Sequence, residues 1–363
     1  MQNQSNTYKK IDNFFFDPTK VLGKGAFGSV FKAYDESRNN LEVACKMIPA
    51  AKLLESEEQY NLFMREVEVL RQIKGKHIVQ LIDVKRTPNN LYIFIDYCDG
   101  GDLEKQLKNK KEFTEEEACV IVKQIAAAFV TLDEIKIYNN KGHQVTIMHR
   151  DIKPANILFH KGQVKIADFG FAKLVDEVDK NVKKAHTLLG TPLYMAPQIL
   201  NDENYSAKCD VWSTGVLFYQ LIFGKLPWNG FSVPNLYQNI KSQPLKFPKP
   251  ISSETKDLLE KMLRIKDEDR ISWKEVYEHE ALKKIKIPGE ETPKTNNYNI
   301  QHQNLQNNMY QQQFIGNNQQ NFQNNNYQQQ QFNGNQQYGY NYQMPVNYTN
   351  NNQNSGPKGN YSY

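Results

Sequence analysis

The chain has 363 residues, 39% of them hydrophobic, and a net charge of +5 at pH 7. This length allows one large domain or two ordinary ones with a sizeable core. Lysine and arginine are spread along the chain without a dense run, so we expect no nucleic-acid partner and no polybasic membrane anchor.

The cysteines and the apolar stretches indicate a reduced, soluble protein. Cys45, Cys98, Cys119 and Cys209 are widely separated and form neither a metal-type CxxC pair nor a dense disulfide framework. The N-terminus has no apolar run for a signal peptide, and the longest apolar stretch, residues 211–223, is too short to span a bilayer. We therefore expect a cytoplasmic protein without membrane insertion.

The first part of the chain has the alternating pattern of β-strands. Residues 1–15 are assigned to an N-terminal extension. After them, apolar and polar residues alternate in five short runs, with one helix at about Glu57–Ile73 between the third and the fourth. The predicted strands are Thr19–Leu22, Ser29–Tyr34, Glu42–Ile48, Val79–Lys85 and Leu91–Tyr97.

The helical period prevails from Leu103 onward. The clearest helices are predicted at Glu115–Leu132, Asp210–Phe223 and Ser252–Leu263. The second of these is apolar nearly all round, so we expect it to be central and buried. A β-rich lobe followed by an α-rich lobe, of the α+β class, is therefore predicted.

Gly23, Gly25 and Gly28 form a GxGxxG pattern, whose missing side chains allow backbone N–H groups to approach a phosphate. Dinucleotide-binding βαβ units carry the same pattern, but they need a helix directly after the glycines. Here Ser29–Tyr34 alternates as a strand, and a second strand returns from Leu41. A glycine loop between two strands is therefore favoured.

Lys46 ends the Val-Ala-Cys-Lys stretch of the returning strand, a position from which an ammonium group can reach the phosphates. A lysine on a strand is otherwise ordinary solvated surface. Glu66 favours a phosphate-binding role for Lys46, since Glu66 shares an apolar helical stripe with Leu62 and Leu70. A carboxylate buried there without a partner would cost several kcal/mol, and Lys46 is the natural candidate for that partner.

The segment 149–156, His-Arg-Asp-Ile-Lys-Pro-Ala-Asn, precedes a predicted hairpin with its turn at Lys161-Gly162 and then an Asp-Phe-Gly triplet. Asp151, Asn156 and Asp168 are thus carried on loops at the same end of one hairpin. Hard oxygen ligands beside a carboxylate base are what Mg²⁺-assisted phosphoryl transfer needs.

Taken in order, the segments GxGxxG, VACK, HRDIKPAN, DFG and a variant Ala-Pro-Glu resemble the protein kinase superfamily across roughly Phe16 to Leu282. The resemblance implies a bilobal protein kinase fold at residues 16–285, with a small β-rich N-lobe (16–98) and a larger helical C-lobe (99–285). It also implies a serine/threonine kinase that uses ATP and Mg²⁺ and acts on Ser/Thr residues of protein substrates.

By this resemblance, Asp151 is the catalytic base, and Asn156 and Asp168 hold Mg²⁺. Lys46 would contact the α- and β-phosphates, and Glu66 would lock Lys46 in place.

Two further residues of the C-lobe gain roles from the same resemblance. Lys153 indicates Ser/Thr specificity and would steady the transferring phosphate. Asp210 would accept hydrogen bonds from the backbone of the loop at 149–151, the alternative being a plain acidic cap of its own helix. His149 is expected to be structural.

The implied nucleotide site includes a hinge at Asp96–Cys98, with Ile95 at the rear of the adenine pocket and Asp102 at the ribose. The residues expected to surround the adenine ring are Leu22, Val30, Ala44 and Leu158.

Arg150 is a cation in a site that otherwise collects carboxylates, so its natural counter-charge is a phosphate. We predict that phosphorylated Thr187 pairs with Arg150 and orders the activation segment, while Thr191 hydrogen-bonds near the catalytic base. The alternative is an activation segment that is ordered without phosphorylation.

Two features depart from the family pattern. Gln198 stands where the family has the glutamate of Ala-Pro-Glu, so Arg270 would face a neutral amide. A hydrogen bond to this amide would be weaker than one to a carboxylate by about 1 kcal/mol or more. The stretch Lys136–Thr146 exceeds the usual length and is predicted to be a surface loop with a turn at 139–142.

After about Pro293, asparagine and glutamine dominate with interspersed tyrosine. Such a segment cannot bury enough apolar surface to offset its ordering entropy, so a disordered tail is predicted at 286–363. It could be inert, or it could support self-association or recruit partners.

Within the superfamily, the segments 97–103, 167–173 and 192–197 are most similar to the autophagy-initiating (unc-51-like) kinases, with the calcium/calmodulin-dependent group as the nearest rival. Two other functions are possible: a nucleotide-binding pseudokinase scaffold, and an assembly protein whose tail is the functional part. A Walker-type nucleotide-binding loop is absent from the sequence.

Overall fold

The structure, a computed structural model, describes residues 8–24, 28–50, 64, 67, 70–135, 137–138, 144–168, 173–176 and 192–287. All of these residues lie in the unit Met1–Glu290. Within them, no helix is long and apolar enough to cross a membrane. The predicted tail lies outside the described residues from residue 288 onward.

The smaller lobe is built on a six-stranded antiparallel sheet in the order β1-β2-β3-β4-β6-β5. Alternate residues of its strands fill an aromatic core on one face, which includes Phe31, Cys45 and Phe94. The predicted strands in this lobe are confirmed, with boundaries that differ by a few residues. The strands are β1 (Lys9–Ile11), β2 (Phe14–Lys24), β3 (Ser29–Asp35), β4 (Leu41–Pro49), β5 (Leu81–Arg86) and β6 (Asn90–Asp96).

The sheet begins earlier than the sequence pattern predicts. It takes in residues 9–15, which sequence analysis assigns to an N-terminal extension. Phe14 and Phe16 are buried in the aromatic core, whereas Phe15 stacks on Tyr34 on the opposite face, with 5.2 Å between ring centroids. Because both faces hold aromatic rings here, three consecutive phenylalanines hide the alternation that identifies a strand.

Phe14 provides a test of this packing. Its ring is 1% exposed and stacks on Phe94, with centroids 3.7 Å apart. We expect Phe14→Leu to lower the free energy of unfolding by about 1–2 kcal/mol, through lost stacking and an unfilled gap. The matched Phe15→Leu variant should lose less free energy of unfolding, because Phe15 is only half-buried. Thermal or urea unfolding of both variants would measure the difference, and equal costs would contradict this packing.

The larger lobe is mainly helical, and the helices predicted at 115–132, 210–223 and 252–263 are confirmed. Helix α2 begins at a capping box formed by Thr114 and Glu117. Helix α4 is buried along nearly its whole length, as predicted, and Trp212 in it is fully buried. The helices are α1 (Leu103–Lys110), α2 (Glu115–Glu134), α3 (Pro197–Leu200), α4 (Lys208–Phe223), α5 (Val233–Ser242), α6 (Ser253–Met262), α7 (Trp273–Glu278) and α8 (Glu280–Lys283).

The stretch Lys136–Thr146 differs from the predicted surface loop. It contributes strand β7 (Ile137–Tyr138) and the start of β8 (Gln144–Met148), which pair with each other. Strand β8 also pairs with β11 (Lys173–Asp176), giving a three-stranded sheet in the order β11-β8-β7. Strands this short carry no detectable period, so the sequence pattern indicates a loop. The turn predicted at 139–142 lies outside the described residues.

The two remaining strands form the hairpin predicted from the sequence. Strands β9 (Ile157–His160) and β10 (Gln163–Ile166) pair in an antiparallel register, with the turn at Lys161-Gly162. Gly162 has a φ of +76°, which explains the glycine at this turn. The hairpin separates the loop that carries Asp151 from Asp168.

Candidate active site

Asp151 lies in the loop between β8 and a short 3₁₀ turn, Pro154–Asn156. Its side chain is 4% exposed, and one carboxylate oxygen, Oδ2, is held by two donors. Asn156 Nδ2 donates to Oδ2 at 2.9 Å, and Lys153 Nζ lies 2.8 Å from it. Asn156 Nδ2 also donates to the Asp151 carbonyl at 2.7 Å. The carboxylate is therefore oriented by two side chains of its own loop.

The backbone of this loop is fixed by Asp210 in the first turn of α4. The backbone N–H groups of His149 and Arg150 each donate to the Asp210 carboxylate at 2.8 Å. This confirms the prediction that Asp210 accepts bonds from the loop. Burial raises the pKa of the Asp210 carboxyl, whereas the two backbone hydrogen bonds and the charge of Arg150 oppose that shift.

His149 links the loop to the chain segment just before Asp168. It is fully buried, and its Nδ1 accepts a hydrogen bond from the backbone N–H of Asp151 at 3.2 Å. Because Nδ1 is the acceptor, Nε2 carries the proton and donates to the Ala167 carbonyl at 2.8 Å. The contacts of His149 are those of a structural residue.

Lys46 on β4 meets a carboxylate from the larger lobe. Its Nζ lies 2.7 Å from Asp168 Oδ1, and both side chains are partly exposed. Asp168 has a φ of +63°, an uncommon conformation for a residue other than glycine. Glu66 lies outside the described residues, so its pairing with Lys46 stays a prediction.

Four residues of the expected nucleotide pocket share one face of the sheet. In the strand register, Val30 is opposite Lys46, and Ala44 is opposite Ile95. Since residues two apart on a strand, and residues directly opposite each other, project to the same side, all four side chains are on one face. The structure therefore brings Val30, Ala44, Ile95 and Lys46 together.

Two glycines of the GxGxxG pattern, Gly23 and Gly28, are among the described residues. Gly23 pairs with Val30 in the hairpin that follows from the sequence. A Cβ atom added to Gly28 would lie 2.0 Å from the carbonyl oxygen of Met47, so only glycine fits at this close approach. Gly25 lies outside the described residues.

The hinge is connected to both lobes through Asp96. Its Oδ2 accepts from the backbone N–H of Gln80 at 3.1 Å and lies 3.3 Å from Lys165 Nζ. The backbone N–H of Asp96 also donates to the Gln80 carbonyl at 3.1 Å, so both the side chain and the backbone of Asp96 hold the start of the hinge in place. Burial raises the pKa of the adjacent Cys98 thiol to about 11, so it stays protonated at neutral pH. Sequence reasoning missed Lys165, which looks like an ordinary solvent-facing lysine on an alternating strand.

Asp102 serves as the N-cap of α1, and its Oδ1 accepts from the Lys105 backbone N–H at 2.8 Å. Its Oδ2 lies 2.9 Å from Lys105 Nζ. An isolated antiparallel bridge places Leu158 beside Asp102. Leu22, on β2, is exposed. Asp102, the predicted ribose contact, and Leu158, a predicted adenine contact, thus lie next to each other.

Of the three regulatory residues, the structure describes only Arg150. It has a φ of +64°, and its backbone is bound by Asp210. Thr187 and Thr191 lie outside the described residues, so the phosphorylation switch stays a prediction.

The chain is similar in sequence to known protein kinases. A family model described as the protein kinase domain matches residues 16–282. Serine/threonine-protein kinase atg1 of Dictyostelium discoideum is 33% identical over 282 residues, covering 76% of this chain and 40% of that protein. Human serine/threonine-protein kinase ULK1 is 33% identical over 75% of this chain and 26% of its own length. Mouse serine/threonine-protein kinase ULK3 is 34% identical over 74% of this chain and 55% of its own length. The matches thus span roughly a quarter to a half of these relatives.

Proposed function

Since the chain belongs to the protein kinase family, we propose that it transfers the γ-phosphate of ATP to serine and threonine hydroxyls of proteins. The observation that carries this proposal is the Asp151 carboxylate, held by Asn156 and Lys153 on a loop that Asp210 anchors. Lys153 and Asn156 both contact Oδ2, so they orient the carboxylate through one oxygen, and Oδ1 would accept the proton of the substrate hydroxyl.

The proposed roles follow from those contacts. The oxygen of the substrate hydroxyl attacks the γ-phosphorus while the bond between that phosphorus and the departing ADP breaks. Asp151 accepts the proton that the hydroxyl loses. Lys153, 2.8 Å from the base, lies where its charge can steady the transferring phosphate. Lys46 would contact the α- and β-phosphates, with Asp168 close enough to orient its ammonium group.

The residues present fit a magnesium ion, and Asn156 and Asp168 are those that would hold it. Among the described residues, no group of three or more His, Cys, Asp or Glu side chains could hold a metal alone. Asn156 uses its amide nitrogen for Asp151, which leaves its amide oxygen for a cation, and Asp168 supplies a carboxylate. Mg²⁺ prefers such hard oxygen ligands, and when bound it would neutralise phosphate charge.

ATP would lie between the two lobes in this proposal. Its adenine ring would lie against Val30, Ala44 and Leu158, with hydrogen bonds to the hinge backbone at 96–98 and the ribose near Asp102. The pairing of the neighbouring strands supports this placement, since it brings Val30 and Ala44 to the same face as Lys46.

The cellular setting is also a proposal. Similarity to atg1, ULK1 and ULK3 favours autophagy-related signalling in the cytoplasm. The Asn/Gln-rich tail would add weak self-association or partner recruitment, as its composition allows.

The test is transfer of labelled γ-phosphate from Mg-ATP to a panel of serine, threonine and tyrosine peptides. Label should appear on serine and threonine only, stop when EDTA removes the divalent cation, and return with excess Mg²⁺. A folded, ATP-binding protein with a phosphorylated activation segment that transfers nothing would instead favour a nucleotide-binding scaffold.

A further inference from the structure

The three-stranded sheet of the larger lobe joins the β7–β8 hairpin to the chain that follows Asp168. In β8, Val145 is opposite Ile137 of β7 on one side and opposite Asp176 of β11 on the other. Strand β8 is therefore central, and β11 pairs with it from Asp176 back to Lys173, which is opposite Met148.

The end of β8 nearest the active site is firmly anchored. Met148 is directly followed by His149 and Arg150, whose backbone N–H groups are held by the buried Asp210. Pairing with β8 thus places Lys173 beside the start of the loop that carries the proposed base.

Asp168 lies between two such anchor points. On its N-terminal side, the backbone N–H of Ala167 donates to the Asn156 carbonyl at 2.9 Å, and the Ala167 carbonyl accepts from His149. On its C-terminal side, the next described contact is the pairing of Lys173 with Met148. Among the described residues, loss of that pairing would leave the backbone of Asp168 held on its N-terminal side only, with the contact to Lys46 Nζ at 2.7 Å as the restraint on its side chain.

Strands β8 and β11 alone would form a two-stranded ribbon, an arrangement that is marginally stable in water. Strand β7 adds a third strand and pairs with the part of β8 that lies farthest from the anchored end. The third strand therefore supports the pairing on which the position of β11 depends.

We propose that the β7–β8 hairpin is a positioning element that holds residues 173–176 against the catalytic loop and thereby restrains Asp168. This assigns a role to the stretch Lys136–Thr146, which exceeds the usual length for the family. The consequence for catalysis rests on the proposed function, whereas the structural coupling does not.

The test compares two double variants of β7. Ile137→Gly with Tyr138→Gly weakens the strand, since glycine disfavours extended structure. Ile137→Val with Tyr138→Phe keeps strand propensity and is the matched control. Hydrogen exchange of the full chain should show amides of 173–176 exchanging roughly tenfold faster in the glycine variant only. Exchange in the hairpin Ile157–Ile166 should be unchanged, which shows that the lobe remains folded.

Phosphate transfer provides the second readout. If Asp168 is less restrained, the Mg²⁺ concentration for half-maximal transfer should rise several-fold in the glycine variant and stay constant in the control. Unchanged exchange at 173–176 would overturn the proposal, and faster exchange with unaltered Mg²⁺ dependence would refute the link to Asp168. If the wild-type protein transfers no phosphate, the proposed function fails, while the exchange comparison still decides the structural coupling.

Discussion

Replacing Asp151 by asparagine is expected to lower kcat for phosphate transfer by about 10²–10⁴. The amide cannot take the proton of the substrate hydroxyl, and it removes the charge that faces Lys153 at 2.8 Å. Its oxygen can still accept from Asn156 Nδ2, so the local hydrogen bond survives. The loss should therefore appear in the rate of transfer, with the folded structure and ATP binding retained.

The measurement is a transfer assay combined with thermal unfolding and an ATP-binding titration. Asp257→Asn is a matched control because it makes the same chemical change on α6, where Asp257 is half-exposed and contacts Lys261 and His279. That variant should keep wild-type transfer. Activity within about threefold of wild type in Asp151→Asn would reject the assignment of the base. Loss of ATP binding in this variant would instead indicate that Asp151 supports the nucleotide pocket.

The elements that sequence reasoning located best are those with one clearly apolar face or with an apolar surface all round. Strand β3 alternates cleanly, and helix α4 is apolar around its circumference. The beginning of β2 was missed because Phe14, Phe15 and Phe16 are apolar on both faces. Strands β7 and β11 were missed because pairing across the chain, rather than local pattern, defines them.

In the candidate site, the local motifs located the side chains but not all of their partners. The bonds from Asp210 to the loop were expected from family resemblance, and the structure contains them. The contact of Lys165 with Asp96 joins residues far apart in sequence, and neither residue carries a local signal for the other. A single sequence offers no means of finding such a pair.

Arg270 faces the neutral amide of Gln198 as predicted, and it has further partners that the sequence did not indicate. The guanidinium is fully buried, and Nη2 donates to Gln198 Oε1 at 3.0 Å. Nη1 lies 3.1 Å from a carboxylate oxygen of Asp267, which supplies the counter-charge. Three backbone carbonyls also accept from this side chain, those of Lys208, Arg264 and Ile265. Asp267 was missed because it lies in a run of charged residues, 266–270, typical of solvated surface.

Arg270→Met is accordingly expected to lower the free energy of unfolding by about 2–4 kcal/mol, because it removes the counter-charge of the partly buried Asp267 carboxylate and the hydrogen bonds of a fully buried guanidinium. For a lobe of this size, the midpoint of thermal unfolding should fall by on the order of 10 °C. Arg264→Met is the matched control, since Arg264 is exposed and its loss should change stability by no more than about 0.5 kcal/mol. Equal, small effects in both variants would contradict the buried network.

Gln198→Glu tests whether the neutral amide weakens or stabilises the hydrogen-bond network around Arg270. The change would give Arg270 a second carboxylate, but Gln198 Nε2 donates to the Ile265 carbonyl at 2.6 Å. A carboxylate oxygen in that position would face the carbonyl oxygen without a hydrogen between them. Because Asp267 already balances the charge, we expect the variant to lose about 1 kcal/mol of stability. A gain in the unfolding midpoint would mean instead that Arg270 lacks sufficient counter-charge, and that Asp267 does not replace the family's glutamate.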